Sequence, residues 1–151
     1  MATPESKPTN PKDFIGSLKL PLSLWPATAT AMGCIGFLDG ATKYGALNWR
    51  VGGAKASIYV DACKRHIDAW MEGQDNALDS GVPHLANALA CLAIIVDAQA
   101  AGVLDDDRNY PGGYQALVES LTPNVKRLIG ERAQIEPKHY RLSDFTSKDT
   151  K

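Results

Sequence analysis

The chemistry-bearing residues of this chain concentrate in one stretch, RHIDAWMEGQDNALDSGVPHLANALACLAIIVD, residues 65–97. Glu72, Asp75 and Asp79 fall where two helical patterns meet, with His66 closing the inner stripe of the first helix and His84 opening the second. Hard divalent cations such as Mg²⁺ take oxygen ligands in near-octahedral geometry and keep waters while sharing substrate phosphates. Carboxylates at a tight helical turn would supply such oxygens, with His84 one turn into the second helix and Asn87 three residues further on the same face. A second stretch, KYGALNWR (43–50), offers a nucleotide its complements. Trp49 has a stacking face, Asn48 an amide for base edges, and Lys43 and Arg50 are cations for phosphate. Each motif has a plainer reading. Acidic residues between helices often serve as solvated caps, a histidine on an apolar stripe is commonly a hydrogen-bonded core residue, and Trp49 with Tyr44 could simply anchor a glycine-rich loop. The pairs Asp61/Arg65 and Lys64/Asp68 are four apart, the spacing of ion pairs on an outer helical face.

The elements that must position these residues are helical. Pro26 suits a first helical position, and Met32, Ile35 and Leu38 recur at helical spacing, which predicts a helix over 26–41. From Lys55 to Glu72 a stripe of Tyr59, Ala62, Cys63, His66, Ile67 and Trp70 faces inward, and Gly73 stops the helix. Asp79 or Ser80 caps a following helix with Pro83 in its first turn; it runs to Gly102, apolar nearly all round and therefore central. Two shorter helices are expected near 113–121 and 123–133, and no strand signal stands out. Prolines at 4, 8, 11 and 21 predict an extended arm over residues 1–25 without regular elements, and a polar tail follows Ile135. The expectation is an all-α bundle of four or five helices over 26–134, with the two best-defined helices antiparallel across a short loop. Helices this apolar in so short a chain point to a homodimer or homotetramer.

Composition bounds the rest. A chain of 151 residues, 44% hydrophobic, makes one domain with a modest core. A net charge of −1 gives no electrostatic footprint for nucleic acid or an anionic membrane. No apolar run approaches a membrane span, and the first residues lack the apolar centre of a signal peptide. Cys34, Cys63 and Cys91 lie in apolar stretches without a CxxC, as reduced thiols of a cytoplasmic protein do. No GxxxxGK[ST] loop is present, which argues against a P-loop enzyme, and the cysteines have no adjacent base for nucleophilic catalysis.

Taken in order, NPKDFIGSLKLPLSLWPATA (10–29), GATKYGALNWR (40–50), DACKRHIDAWMEGQD (61–75), DSGVPHLANALACLA (79–93) and LDDDR (104–108) resemble the phage dATP/dGTP diphosphohydrolase family. This is a MazG-like group of all-α nucleoside triphosphate pyrophosphatases, and the similarity is close to its MazZ type, from phages that replace adenine with 2-aminoadenine. The resemblance implies Mg²⁺- or Mn²⁺-dependent cleavage of a purine (deoxy)nucleoside triphosphate, dGTP foremost, to monophosphate and pyrophosphate. It carries over onto Lys19, Pro21, Lys43, Tyr44, Gly45, Asn48, Trp49, Arg50, Asp61, Arg65, His66, Gly73, Asp75, Gly81 and His84. On that reading Glu72, Asp75, Asp79 and His84 hold the metal, while Arg65, His66 and Lys64 neutralise the leaving group. Lys19, Lys43 and Arg50 secure the remaining phosphate oxygens, and Asn48 reads the base that Trp49 or Tyr44 stacks upon. The chain departs from the ExxE and ExxD pairs of better-known MazG-like enzymes, showing Glu72 with Asp75 and His84 with Asn87. Two alternatives stay open: a helical module that binds a nucleotide or a partner without hydrolysis, and a pyrophosphohydrolase for dATP or another purine.

Overall fold

A computed structural model describes residues 10–145; the expectations for residues 1–9 and 146–151 lie outside the described residues. The fold is mostly helical, as expected. Its elements are α1 (Pro11–Ser17), α2 (Ala27–Tyr44), α3 (Trp49–Gly52), β1 (Ala54–Lys55), α4 (Ala56–Met71), α5 (His84–Ala100), β2 (Leu104–Asp105) and α6 (Tyr114–Glu131), with 3₁₀ turns at Leu22–Leu24 and Leu142–Asp144.

Helix α5 is central, as its all-round apolar pattern predicts: α2 packs on one side and α4 on the other. The α2 interface is built from small residues. Gly33 and Gly36 are the buried residues of α2, and they meet the alanine-rich face of α5. A Cβ at Gly36 would overlap the Ala86 carbonyl and lie 3.1 Å from Ala90 Cβ, so the two backbones approach as closely as glycine permits. Across the other interface the Cys63 thiol donates to the Ala88 carbonyl over 3.7 Å.

The ends of α4 are held by different devices. At its start Asp107 accepts from Ser57 N at 2.8 Å and Ser57 Oγ at 2.5 Å, satisfying a donor of the first turn from a loop fifty residues away. At its end Gly73 adopts φ +89°, its N–H reaching the Trp70 carbonyl while that of Gln74 reaches Ala69. This pair of bonds is the Schellman arrangement, and it stops the helix where the sequence places its stop.

Several expectations are corrected. The arm is not free of regular structure: Asn10 accepts from Lys12 N and Pro11 occupies the first helical position, so α1 forms despite its neighbouring prolines. The two helices expected after residue 113 are one helix, α6, with Pro123 inside it. A proline there removes a single N–H, and Thr122 Oγ1 back-bonds to the Val118 carbonyl at 3.0 Å in the same turn. A parallel ladder, Ala54 with Leu104 and Lys55 with Asp105, appears where no strand was expected. Neither Asp79 nor Ser80 caps α5, which begins at His84 with Pro83 as its cap residue.

Segment 76–83 closes on itself instead. An antiparallel bridge joins Asn76 to Pro83, Ala77 N bonds the Val82 carbonyl, and His84 N bonds that of Asp75. Among the described residues no helix is long and apolar enough to cross a membrane.

Candidate functional site

The closed 76–83 loop decides which residues meet. It lifts Asp79 and Ser80 at its tip over the C-terminal half of α2. There they line a cleft of about 340 Å³ with Asp39, Lys43, Tyr44, Asn48 and Trp49 on one side and Tyr59, His66, Asn87 and Cys91 on the other. Helices α2, α4 and α5, the segment after α2 and the loop tip thus bring seven of the fifteen expected site residues to one place: Lys43, Tyr44, Asn48, Trp49, His66, Asp79 and Asn87.

The other eight stand elsewhere. Glu72 and Asp75 stay exposed at the end of α4, because the turn at Gly73 points the chain away before the loop returns with Asp79. Among the described residues no three histidine, cysteine or acidic side chains form a group that could hold a metal ion, so the acidic trio is not gathered. Asp61, Lys64 and Arg65 occupy exposed positions on α4, and Lys19 is exposed beyond the end of α1. Arg50 is engaged outside the cleft, its guanidinium donating to both oxygens of Asp97 at 2.7 and 2.8 Å. Trp49, only 6% exposed, donates its indole N–H to the same carboxylate at 2.6 Å and lies 5.4 Å from Phe37. Trp49 is therefore an anchor whose remaining surface reaches the cleft. The two hydrogen-bond donors hold the Asp97 carboxyl down at about 2.

His84 is 7% exposed and forms the wall behind the cleft rather than its lining. Its Nδ1 meets His66 Nδ1 at 2.8 Å, and its Nε2 meets Gln74 Oε1 at 3.1 Å. Burial, then the neighbouring His84 and Arg65, push the His66 imidazole below its ordinary range, against a smaller opposing pull from Asp79. A neutral His66 is unsuited to the expected charge neutralisation of a leaving group. Lys43 keeps its charge, raised by its 2.7 Å ion pair with Asp39 and also by Asp79. The charged groups of the cleft are one cation and two carboxylates.

Sequence reading missed Asp39, Tyr59, Gln74 and Asp97. Asp39 was accessible through its four-residue spacing from Lys43; Asp97 and Gln74 gave no local signal, since their partners lie far along the chain.

The sequence model of the family described as dATP/dGTP diphosphohydrolase, N-terminal, matches residues 9–108. The chain belongs to that family. No curated protein and no solved structure matches it. The matched span of this diphosphohydrolase-family chain contains every lining residue of the cleft, while α6 lies outside it.

Proposed function

We propose that the protein is a cytoplasmic, phage-type nucleotide diphosphohydrolase that splits a purine (deoxy)nucleoside triphosphate, dGTP foremost, into the monophosphate and pyrophosphate. The observation that carries this reading is the convergence of Lys43, Asn48, His66, Asp79 and Asn87 on one cleft within the span shared with the family. A volume near 340 Å³ lies in the range of small-molecule sites. Lys43 binds phosphate oxygens, Asn48 and Asn87 offer amides to base or sugar, and Tyr44 offers a stacking face. Water attacks the α-phosphorus as the bond to the oxygen bridging to the β-phosphorus breaks, and pyrophosphate leaves.

The described residues do not gather into a resident metal cage. Divalent-cation dependence is proposed from the charge of the cleft: two carboxylates against one lysine would repel a bare triphosphate, whereas one that arrives with Mg²⁺ or Mn²⁺ is partly neutralised. The dGMP released would feed 2-aminoadenine nucleotide synthesis, on the family resemblance. Incubation with each nucleoside triphosphate, with and without Mg²⁺, followed by separation of products tests the reading. Monophosphate plus pyrophosphate is expected; stepwise phosphate release or no product refutes it. The ungathered carboxylates favour one alternative, a module that binds the nucleotide without hydrolysis, which would show saturable dGTP binding and no turnover.

A homo-oligomer is proposed on area. The chain exposes 13045 Å² of accessible surface, against about 7,500 Å² for a compact monomer of 16.2 kDa. The apolar groove of about 850 Å³ between α2 and α5, lined by Trp25, Phe37, Leu89, Leu92 and Val96, is part of that excess. Light scattering in solution reads the number of subunits, and a monomer overturns this part.

A further inference from the structure

The three side chains Gln74, His84 and His66 run in file from the end of α4, through the first residue of α5, back to the middle of α4. Both bonds of this file involve ring nitrogens, so each carries one proton and the direction of donation must be consistent along it. Gln74 presents its amide oxygen, which only accepts; His84 Nε2 must therefore carry the proton of the 3.1 Å bond. With one proton on each ring, His84 Nδ1 is bare and the 2.8 Å bond to His66 is made by a proton on His66 Nδ1. His66 is left with its lone pair on Nε2, in a side chain that lines the cleft.

We propose that Gln74 is a positioning residue, which through the buried His84 fixes the Nδ1–H tautomer of His66 and so presents His66 Nε2 to the cleft as a hydrogen-bond acceptor. The assignment makes His66 the partner of an O–H or N–H donor, either the attacking water or a donor group of the nucleotide. The arrangement is built rather than incidental. Gln74 is fixed by the Schellman turn through its own N–H, and His84 by its N–H to the Asp75 carbonyl, so the first two members of the file are pinned by backbone bonds.

The primary test needs no substrate. Two-bond ¹H–¹⁵N correlation spectra of the full chain, recorded above the histidine range, report the tautomer of each imidazole, with His139 identified by its loss in H139N. His66 is expected as Nδ1–H and His84 as Nε2–H. In Gln74→Leu the bias at His66 is lost, and in Gln74→Glu, whose carboxylate also only accepts, it returns. Finding His66 as Nε2–H in the wild type, or an unchanged pattern in Gln74→Leu, overturns the proposal.

The kinetic arm alone rests on the diphosphohydrolase reading, so its failure and that of the spectra are distinguishable. Gln74→Leu is expected to lower kcat/KM within the roughly 10²–10⁴-fold that a positioned acceptor contributes, and Gln74→Glu to restore it. A fall in kcat at constant KM identifies the donor as water, and a rise in KM at constant kcat identifies it as the nucleotide; an active Gln74→Leu enzyme with unchanged constants overturns the role of the acceptor.

Discussion

Gly36→Ala isolates the packing that builds the cleft. Two effects of opposite sign compete at this position. Alanine in a helix interior is favoured over glycine by about 0.5–1 kcal/mol, because glycine loses more backbone freedom on folding. Against this, the new methyl overlaps the Ala86 carbonyl oxygen and carbon and presses Ala90 Cβ. The first obstacle is backbone, so no rotamer change relieves it and α2 must move away from α5. Overpacking of this kind costs about 1–3 kcal/mol, which leaves a net loss of up to roughly 2.5 kcal/mol. At about 2–4 °C per kcal/mol for a chain of this size the midpoint falls by up to about 10 °C. Gly40 lies on the same helix with nothing within 4 Å of its hypothetical Cβ, so Gly40→Ala carries the propensity gain alone and should raise the midpoint slightly. Thermal and urea unfolding followed by far-ultraviolet circular dichroism measure both. A midpoint for Gly36→Ala raised above the wild type, as expected for Gly40→Ala, would refute the close approach of α2 and α5.

The remaining expectations concern the groups around the cleft. The Asp97 carboxyl, held at about 2 by Arg50 and Trp49, stabilises the 45–53 segment at any pH above the usual aspartate range, and this contribution is lost as pH falls through about 2. Asp97→Asn should remove that acid-limb dependence and speed amide exchange of residues 45–53 at neutral pH; unaltered exchange contradicts the clasp. His84→Leu leaves Gln74 Oε1 and the His66 ring proton without their partners, at a cost of about 1–3 kcal/mol in urea unfolding. For the cysteines, burial pushes the Cys91 thiol up to about 11 and raises Cys63 as well, while Cys34 is exposed. Alkylation at neutral pH should therefore label Cys34 in the native protein and the other two only after unfolding, as mass spectrometry would show.

What was legible in the sequence was the part fixed by local periodicity. The apolar character of α5 around its whole circumference announces a helix enclosed by others, and the inward stripe with Gly73 bounds α4 to within a residue. The errors have one physical origin, which is that partners distant in the chain override local signals. Pro11 was read as a breaker, yet with Asn10 before it the same residue starts a helix. Asp79 was read as a cap because a cap is a local role; the bridge between Asn76 and Pro83 instead makes it the tip of a closed loop. The β1–β2 ladder is two residues long and joins segments fifty residues apart, too short for a period to show. At the site, residue types and neighbourhood were legible for Lys43, Asn48, His66 and Asn87. The gathering of Glu72, Asp75 and Asp79 was not, since proximity in sequence across a glycine turn does not fix the direction in which side chains leave it.

The use of carboxylates elsewhere in the fold singles out Asp79. Asp39 is paired with Lys43, Asp97 with Arg50 and Trp49, Asp106 with Arg108, and Asp107 with Ser57 and Lys55. Each of these stabilises a helix end, a loop or a neighbouring charge, and none is available without a structural loss. Asp79 enters none of those pairings, sits at the tip of a loop closed by backbone bonds and by Val82 N–H to Ser80 Oγ, and raises the proton affinity of both Lys43 and His66 through space. It is the carboxylate of the cleft that a ligand can recruit without disturbing the fold. Asp79→Asn keeps the side chain's shape and removes only the charge, so the unfolding midpoint should stay within about 0.5 kcal/mol of the wild type. Pyrophosphate release should fall by about 10²-fold or more if the charge acts on the reacting triphosphate. A variant that folds normally and turns over at the wild-type rate would separate the loop tip from the chemistry and leave it a purely architectural element.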